Sequence, residues 1–210
     1  MTHPLLTRDG LYAITNGPRD DLLEACEAAI DGGAVLLQYR DKTSDAARRL
    51  GEARALAALC AQRRIALVVN DDVELALASG AMGVHLGETD ADIASARAVL
   101  GRCAIVGVSC YDSLERARVL AAAGANYLAF GSFYPSPTKP NARTATIQLL
   151  REAKAFGLPL VTIGGITSEN GAALVAAGAN YLAVISGVFA AENVREAAQS
   201  LAALFDPARS

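Results

Sequence analysis

The sequence predicts a (β/α)8 barrel, and three observations carry the prediction. The segment Ala122-Ala-Gly-Ala-Asn-Tyr-Leu-Ala129 recurs as Ala176-Ala-Gly-Ala-Asn-Tyr-Leu-Ala183. Gly-Ala steps fall at 33, 80, 124 and 178, separated by 47, 44 and 54 residues, each interval long enough for two strand–helix units. Eight short apolar runs alternate with alanine- and arginine-rich helical stretches, and strands this apolar are covered on both faces, as in a parallel sheet. A doubly wound open sheet is the alternative fold. The 210 residues suit one domain spanning 1–210, with 1–10 and 206–210 as loose termini.

The expected strands are 11–15, 34–39, 66–69, 82–86, 104–108, 126–130, 159–163 and 180–185. In the repeat, the glycine is read as the left-handed residue that ends a helix, with the apolar residues after it starting the next strand. Helical patterns occupy 44–62, 91–100, 113–123 and 146–156, with Ser44, Ser113 and Ser168 as N-cap candidates.

Composition narrows the function classes. Fifty-two per cent hydrophobic and 20 per cent charged residues describe a soluble globular chain. A net charge of −3 argues against a nucleic-acid footprint or a polybasic membrane patch, so any positive field is local. Cys26, Cys60, Cys103 and Cys110 show no zinc-like or C-x-x-C spacing and read as reduced, small core residues of a cytoplasmic protein. The N-terminus lacks a signal-peptide pattern. The uncharged stretch 170–191 is interrupted by Gly171, Gly178, Asn180, Ser186 and Gly187, and reads as a buried helix and strand, not a membrane span.

In such barrels the site lies past the C-terminal ends of the strands, which gives each polar residue there a functional address. After the second run come Gln38-Tyr39-Arg40-Asp41-Lys42, where strand alternation puts Gln38, Arg40 and Lys42 on one face. After the third stand Asn70, Asp71 and Asp72, of which Asp72 is an ordinary N-cap. Asp71, with Asp90 after the fourth run, would hold one hard divalent cation of the magnesium type alongside phosphate oxygens and water. His85, flanked by Val84 and Leu86, reads as a hydrogen-bonded core residue. Ser109 after the fifth run either meets a ligand or caps the next helix.

After the sixth run lies the turn-rich stretch 131–140, in which three prolines exclude a helix interior or central strand. It carries two hydroxyls, Ser136 and Thr138, around Pro137, and the ammonium of Lys139. Gly164-Gly165 after the seventh run and Ile185-Ser186 after the eighth occupy the turns where this fold commonly takes phosphate through backbone N–H groups. Two anion zones suggest two small phosphorylated substrates. With no nucleophile–base pair in view, catalysis would rest on positioning and electrostatics.

The motifs LYAIT, QYRDK, VVNDD, GVHLGETD, GVSCYDS, FGSFYPSPTKP, TIGGI and AVISG, in this order, resemble the thiamine phosphate synthase family. The resemblance implies condensation of hydroxymethylpyrimidine diphosphate with a thiazole phosphate, or its carboxylated form, to thiamine phosphate and pyrophosphate, with Mg2+. It also implies residue roles. Gln38, Tyr39, Arg40, Asp41, Lys42, Asn70, Ser109 and Lys139 would contact the pyrimidine diphosphate, and Asp71 and Asp90 the metal. Ser136, Pro137, Thr138, Gly165, Ile185 and Ser186 would contact the thiazole phosphate. Arg40, Lys42, Lys139 and Ser109 would be catalytic. The chain departs from the family's commonest spelling at Tyr39, Glu88, Tyr111 and Ser136. A thiazole tautomerase-like isomerase or regulator and a non-catalytic phosphate-binding barrel are the alternatives. An oligomer is compatible with these features, which do not specify one.

Overall fold

Strand residues sort by parity into two apolar layers. Tyr12, Ile14, Leu36, Val68, Ile105, Tyr127, Val161 and Tyr181 pack together in one buried cluster. Their neighbours Leu11, Ala13, Leu37, Val69, Val106, Leu128, Leu160 and Leu182 pack with the helices in another. Side chains alternate across a strand, so two layers of this kind require a sheet covered on both faces. In the computed structural model, which describes residues 3–88, 92–135 and 143–206, the sheet closes on itself.

The strands are β1 (Gly10–Ile14), β2 (Ala34–Tyr39), β3 (Ala66–Asn70), β4 (Gly83–Leu86), β5 (Ile105–Tyr111), β6 (Tyr127–Gly131), β7 (Leu160–Ile163) and β8 (Tyr181–Val184). They are hydrogen-bonded in sequence order, and β1 closes on β8 with Leu11 opposite Leu182. Every pairing is parallel, as a (β/α)8 barrel requires and an open sheet does not. The helices are α1 (Leu22–Asp31), α2 (Ala46–Arg63), α3 (Val73–Ser79), α4 (Ile93–Leu100), α5 (Leu114–Ala122), α6 (Ile147–Ala153), α7 (Ala172–Ala177), α8 (Ser186–Phe189) and α9 (Val194–Ala202). Among the described residues no helix is long and apolar enough to cross a membrane.

The repeat reflects helix endings. Gly124 and Gly178 follow the last residues of α5 and α7 at φ 96° and 109°, a left-handed conformation in which a Cβ is costly. Asn126 and Asn180 then each bond across to a neighbouring strand, Asn126 Oδ1 accepting from Val106 N–H (2.8 Å) and Asn180 Oδ1 from Leu160 N–H (2.9 Å). That shared contact accounts for the asparagine in both copies.

Three expectations need correction. Asp45, not Ser44, caps α2, its carboxylate accepting from Arg48 N–H at 3.1 Å. Ser168 caps nothing, because its turn runs on and α7 begins at Ala172 behind Gly171. Residues 3–10 are not loose: Leu6 is 3 per cent exposed and packs in the interior cluster from below, where burial of an apolar side chain fixes the segment. Ser113 does cap α5, accepting from Arg116 N–H at 3.1 Å.

Candidate active site

Because the strands are parallel, all eight C-terminal ends meet at one mouth. The interior-facing parity delivers Gln38, Asn70, His85 and Ser109 to it from four neighbouring strands. Gln38 is 2 per cent exposed and donates its amide N–H to Tyr12 Oη at 2.6 Å. Ser109 Oγ lies 2.9 Å from His85 Nε2, so it caps no helix. His85 is hydrogen-bonded at both ring nitrogens, since Nδ1 lies 3.0 Å from Tyr127 Oη.

The ends of β2 and β3 bring opposite charges together. Lys42 Nζ lies 3.6 Å from Asp71 Oδ2. Asp71 stands at φ 65°, a left-handed conformation that aspartate tolerates better than most residues, and its N–H donates to His85 O at 2.8 Å. Asp72 takes the plain capping role, accepting from Leu75 N–H at 2.9 Å and pairing with Arg49, also at 2.9 Å. The backbone of Arg40 is clamped by Thr15, whose Oγ1 accepts from Arg40 N–H (2.7 Å) and donates to Arg40 O (3.0 Å). The Arg40 guanidinium itself pairs with none of the described acidic residues.

Two members of QYRDK turn away from this mouth. Tyr39 packs in the helix layer and donates its hydroxyl to Glu52 of α2 at 2.6 Å. Asp41 is buried, accepts from Thr43 N–H at 2.7 Å, and pairs with Arg48 at 2.7 Å. Burial by itself would push the Asp41 carboxyl up; the Thr43 amide and the Arg48 guanidinium outweigh it and hold the group below the usual carboxylate range. The side chains expected to touch a substrate here therefore anchor α2, because alternation sends odd positions of this strand outward.

Sequence reasoning missed an aromatic–cationic cluster beside β5. Two guanidiniums lie over the Tyr111 ring, Arg116 at 5.8 Å and Arg143 at 5.4 Å from its centroid, with Tyr111 at φ 56°. Arg116 also donates to Ser109 O (2.8 Å) and Gly87 O (3.1 Å), which fixes the rim behind Ser109. The signal was an arginine at the first turn of α5 and another just past the proline-rich stretch.

That stretch is held at its described flanks. Ser132 N–H donates to Arg143 O at 2.8 Å and Ala145 N–H to Ser132 O at 2.9 Å. Phe133 and Tyr134 N–H donate to Ile163 O (3.1 Å) and Gly164 O (3.0 Å), joining the turn after β6 to the turn after β7. Gly164 and Gly165 are required there: a Cβ on Gly164 would coincide with Ser132 Oγ, and one on Gly165 would meet the Pro135 carbonyl. Asp90, Ser136, Pro137, Thr138 and Lys139 lie outside the described residues. Ile185 packs on the interior cluster, and Ser186 is exposed at the start of α8.

Cys110, next to Ser109, is buried, and burial pushes its thiol up to about 12, which removes it as a nucleophile. Among the described residues no group of three or more His, Cys, Asp and Glu forms a metal cluster. Asp71 does fit magnesium, a hard ion that takes one or two carboxylates and fills its remaining positions with phosphate oxygens and water.

The profile of a family described as thiamine monophosphate synthase matches residues 11–188. A thiamine-phosphate synthase of Thioalkalivibrio sulfidiphilus is 52 per cent identical over 201 residues, covering 94 per cent of this chain and 95 per cent of that one. One from Xanthomonas campestris is 53 per cent identical over 197 residues, covering 93 and 95 per cent. Among solved structures, the thiamine phosphate pyrophosphorylase of Pyrococcus furiosus superimposes with a TM-score of 0.86 at 32 per cent identity, covering 95 per cent of this chain and 96 per cent of that one.

Proposed function

The chain belongs to the thiamine monophosphate synthase family, with the transferase activity which that name describes, and we propose that it joins a hydroxymethylpyrimidine diphosphate to a thiazole phosphate with loss of pyrophosphate. The observation that carries this reading is the mouth between β2 and β3. There Lys42 pairs with Asp71 from the next strand end, and the half-buried Arg40 pairs with no described carboxylate, which leaves cationic charge for a bound anion.

In this reading Arg40 and Lys42, with Lys139, bind the diphosphate and offset the charge that grows on it as the carbon–oxygen bond breaks. The pyrimidine methyl carbon is then attacked by the thiazole nitrogen. No protein base is needed, because that nitrogen carries its own electron pair. Gln38, Asn70 and Ser109 orient the pyrimidine ring, while Ser136, Pro137, Thr138, Gly164, Gly165, Ile185 and Ser186 hold the thiazole phosphate. Asp71, with Asp90, would hold Mg2+, which when bound supplies charge neutralisation to the diphosphate.

Incubating the purified protein with both substrates and Mg2+ should release pyrophosphate and form thiamine phosphate, and EDTA should stop it. A folded protein that releases none, or that works equally well in EDTA, defeats this reading.

A further inference from the structure

Five polar side chains form one continuous chain through the barrel. Gln38 Nε2 lies 2.6 Å from Tyr12 Oη, Tyr12 Oη 2.8 Å from Tyr127 Oη, Tyr127 Oη 3.0 Å from His85 Nδ1, and His85 Nε2 2.9 Å from Ser109 Oγ. The two phenols in the middle are buried, at 1 and 0 per cent exposure. Their rings meet edge to face at 5.9 Å, and His85 stacks on Tyr127 at 5.7 Å. The Tyr127 ring occupies the space a Cβ on Gly107 would take, so the barrel wall makes room for it.

Counting hydrogens gives the chain a direction, since each phenol has one to donate. Tyr12 Oη accepts from Gln38, and among the described residues the acceptor within reach of its own buried hydrogen is Tyr127 Oη, so pairing that hydrogen sends it to Tyr127. The Tyr127 hydrogen then goes to His85 Nδ1, which must be unprotonated. His85 therefore carries its proton on Nε2 and donates it to Ser109 Oγ. Among the described residues the chain leaves two functions unused, one at each end: the amide oxygen of Gln38 as an acceptor and the hydroxyl hydrogen of Ser109 as a donor.

We propose that this chain is a polarity device for substrate recognition. It obliges Ser109 to act as a donor and leaves the Gln38 amide oxygen as an acceptor, toward a ring bearing both an unprotonated nitrogen and an amino group. An oxo-substituted ring, with N–H and C=O in place of N and NH2, presents the opposite pattern and is rejected. Tyr12, Tyr127 and His85 are positioning residues, acting on substrate only through Gln38 and Ser109. The inference rests on the proposed function for its placement of those two residues at the pyrimidine.

The direction is read first, on the free protein. The chain has two histidines, so a nitrogen-15 imidazole spectrum with His3→Gln for assignment reports His85 alone. The expected result is a proton on Nε2 and none on Nδ1 in the parent protein, with that single form lost in Tyr127→Phe; a proton on Nδ1 of the parent protein overturns the proposal. Selectivity is read second, as kcat/KM for the aminopyrimidine diphosphate over its oxo analogue. Tyr127→Phe and Tyr12→Phe should each lower that ratio about tenfold, with KM for the thiazole phosphate unchanged. An unchanged ratio in either folded, active variant overturns the proposal. If His85 has the expected form but the parent protein turns over neither diphosphate, the proposed function fails and the selectivity claim with it, while the direction of the chain stands on the spectrum.

Discussion

Lys42 Nζ lies 3.6 Å from Asp71 Oδ2, joining the chain after β2 to the chain after β3 at the barrel mouth. Both side chains are substantially accessible, so their mutual attraction contributes little to stability. The pair is better understood as two charges held ready for a third. Lys42→Met and Asp71→Asn should therefore leave thermal unfolding within a few degrees of the parent, while pyrophosphate release falls by about 100-fold, the order seen when a preorganised charge stabiliser is removed. Asparagine is chosen because it also tolerates the φ of 65°. Equal losses of stability and activity would show that the pair is structural.

Asp41 gives the opposite outcome. Its carboxylate is buried against Arg48 and the Thr43 amide, and its pKa is held below the usual range. A carboxyl with a depressed folded-state pKa contributes stability that is present above its unfolded pKa and lost as pH falls through the folded value. Asp41→Asn should cost about 2 kcal/mol near neutral pH, with an effect that shrinks as pH falls from the ordinary carboxylate range through the lower folded-state value. Urea unfolding at pH 7 and pH 3 measures this. Activity per folded molecule should persist; its loss would return Asp41 to the substrate site.

The contrast between Asp41 and Lys42 shows what the sequence made legible. The eight strands could be placed within a few residues because each apolar run ends at a charged or polar residue or a glycine. Gln38 could be set on the interior face by alternation alone. Alternation also excludes Tyr39 and Asp41 from that face, whereas the resemblance at QYRDK groups all five residues and hides the difference. The interior chain was illegible for a different reason. Tyr12 and Tyr127 sit in apolar runs that read as plain core, and no spacing rule says that β1 and β6 side chains meet across a lumen. Once barrel parity is assigned, the signal is simple: Tyr12, Gln38, His85, Ser109 and Tyr127 all face inward, and buried polar groups must pair.

The cysteines offer a test of the core that needs no substitution. Cys26, Cys60 and Cys110 are buried as core residues, but Cys103, expected among them, is exposed in the turn before β5. Burial pushes the thiols of Cys60 and Cys110 up to about 12 and that of Cys26 higher still. Thiolate is the reactive form, so at pH 8 the native protein should show one fast-reacting thiol with a disulfide reagent, and all four only in denaturant. Alkylating the fast thiol should leave turnover unchanged. A second fast thiol that abolishes activity would instead put Cys110 within reach of the mouth.

Gly164 tests how the turns after β6 and β7 are joined. Tyr134 N–H donates to Gly164 O at 3.0 Å, and a Cβ at 164 would coincide with Ser132 Oγ, at a φ of 106° that L-residues rarely adopt. Gly164→Ala therefore has to displace Ser132 and with it the flank of the proline-rich stretch. Backbone strain of this kind costs on the order of 1–3 kcal/mol. In the proposed function this stretch serves the thiazole phosphate, so KM for that substrate should rise about tenfold, while KM for the pyrimidine diphosphate changes less than twofold. Gly164→Ala combined with Ser132→Gly removes the clashing hydroxyl and should recover part of the loss. If the double variant recovers nothing, the left-handed conformation at 164, not the contact with Ser132, is what the turn requires.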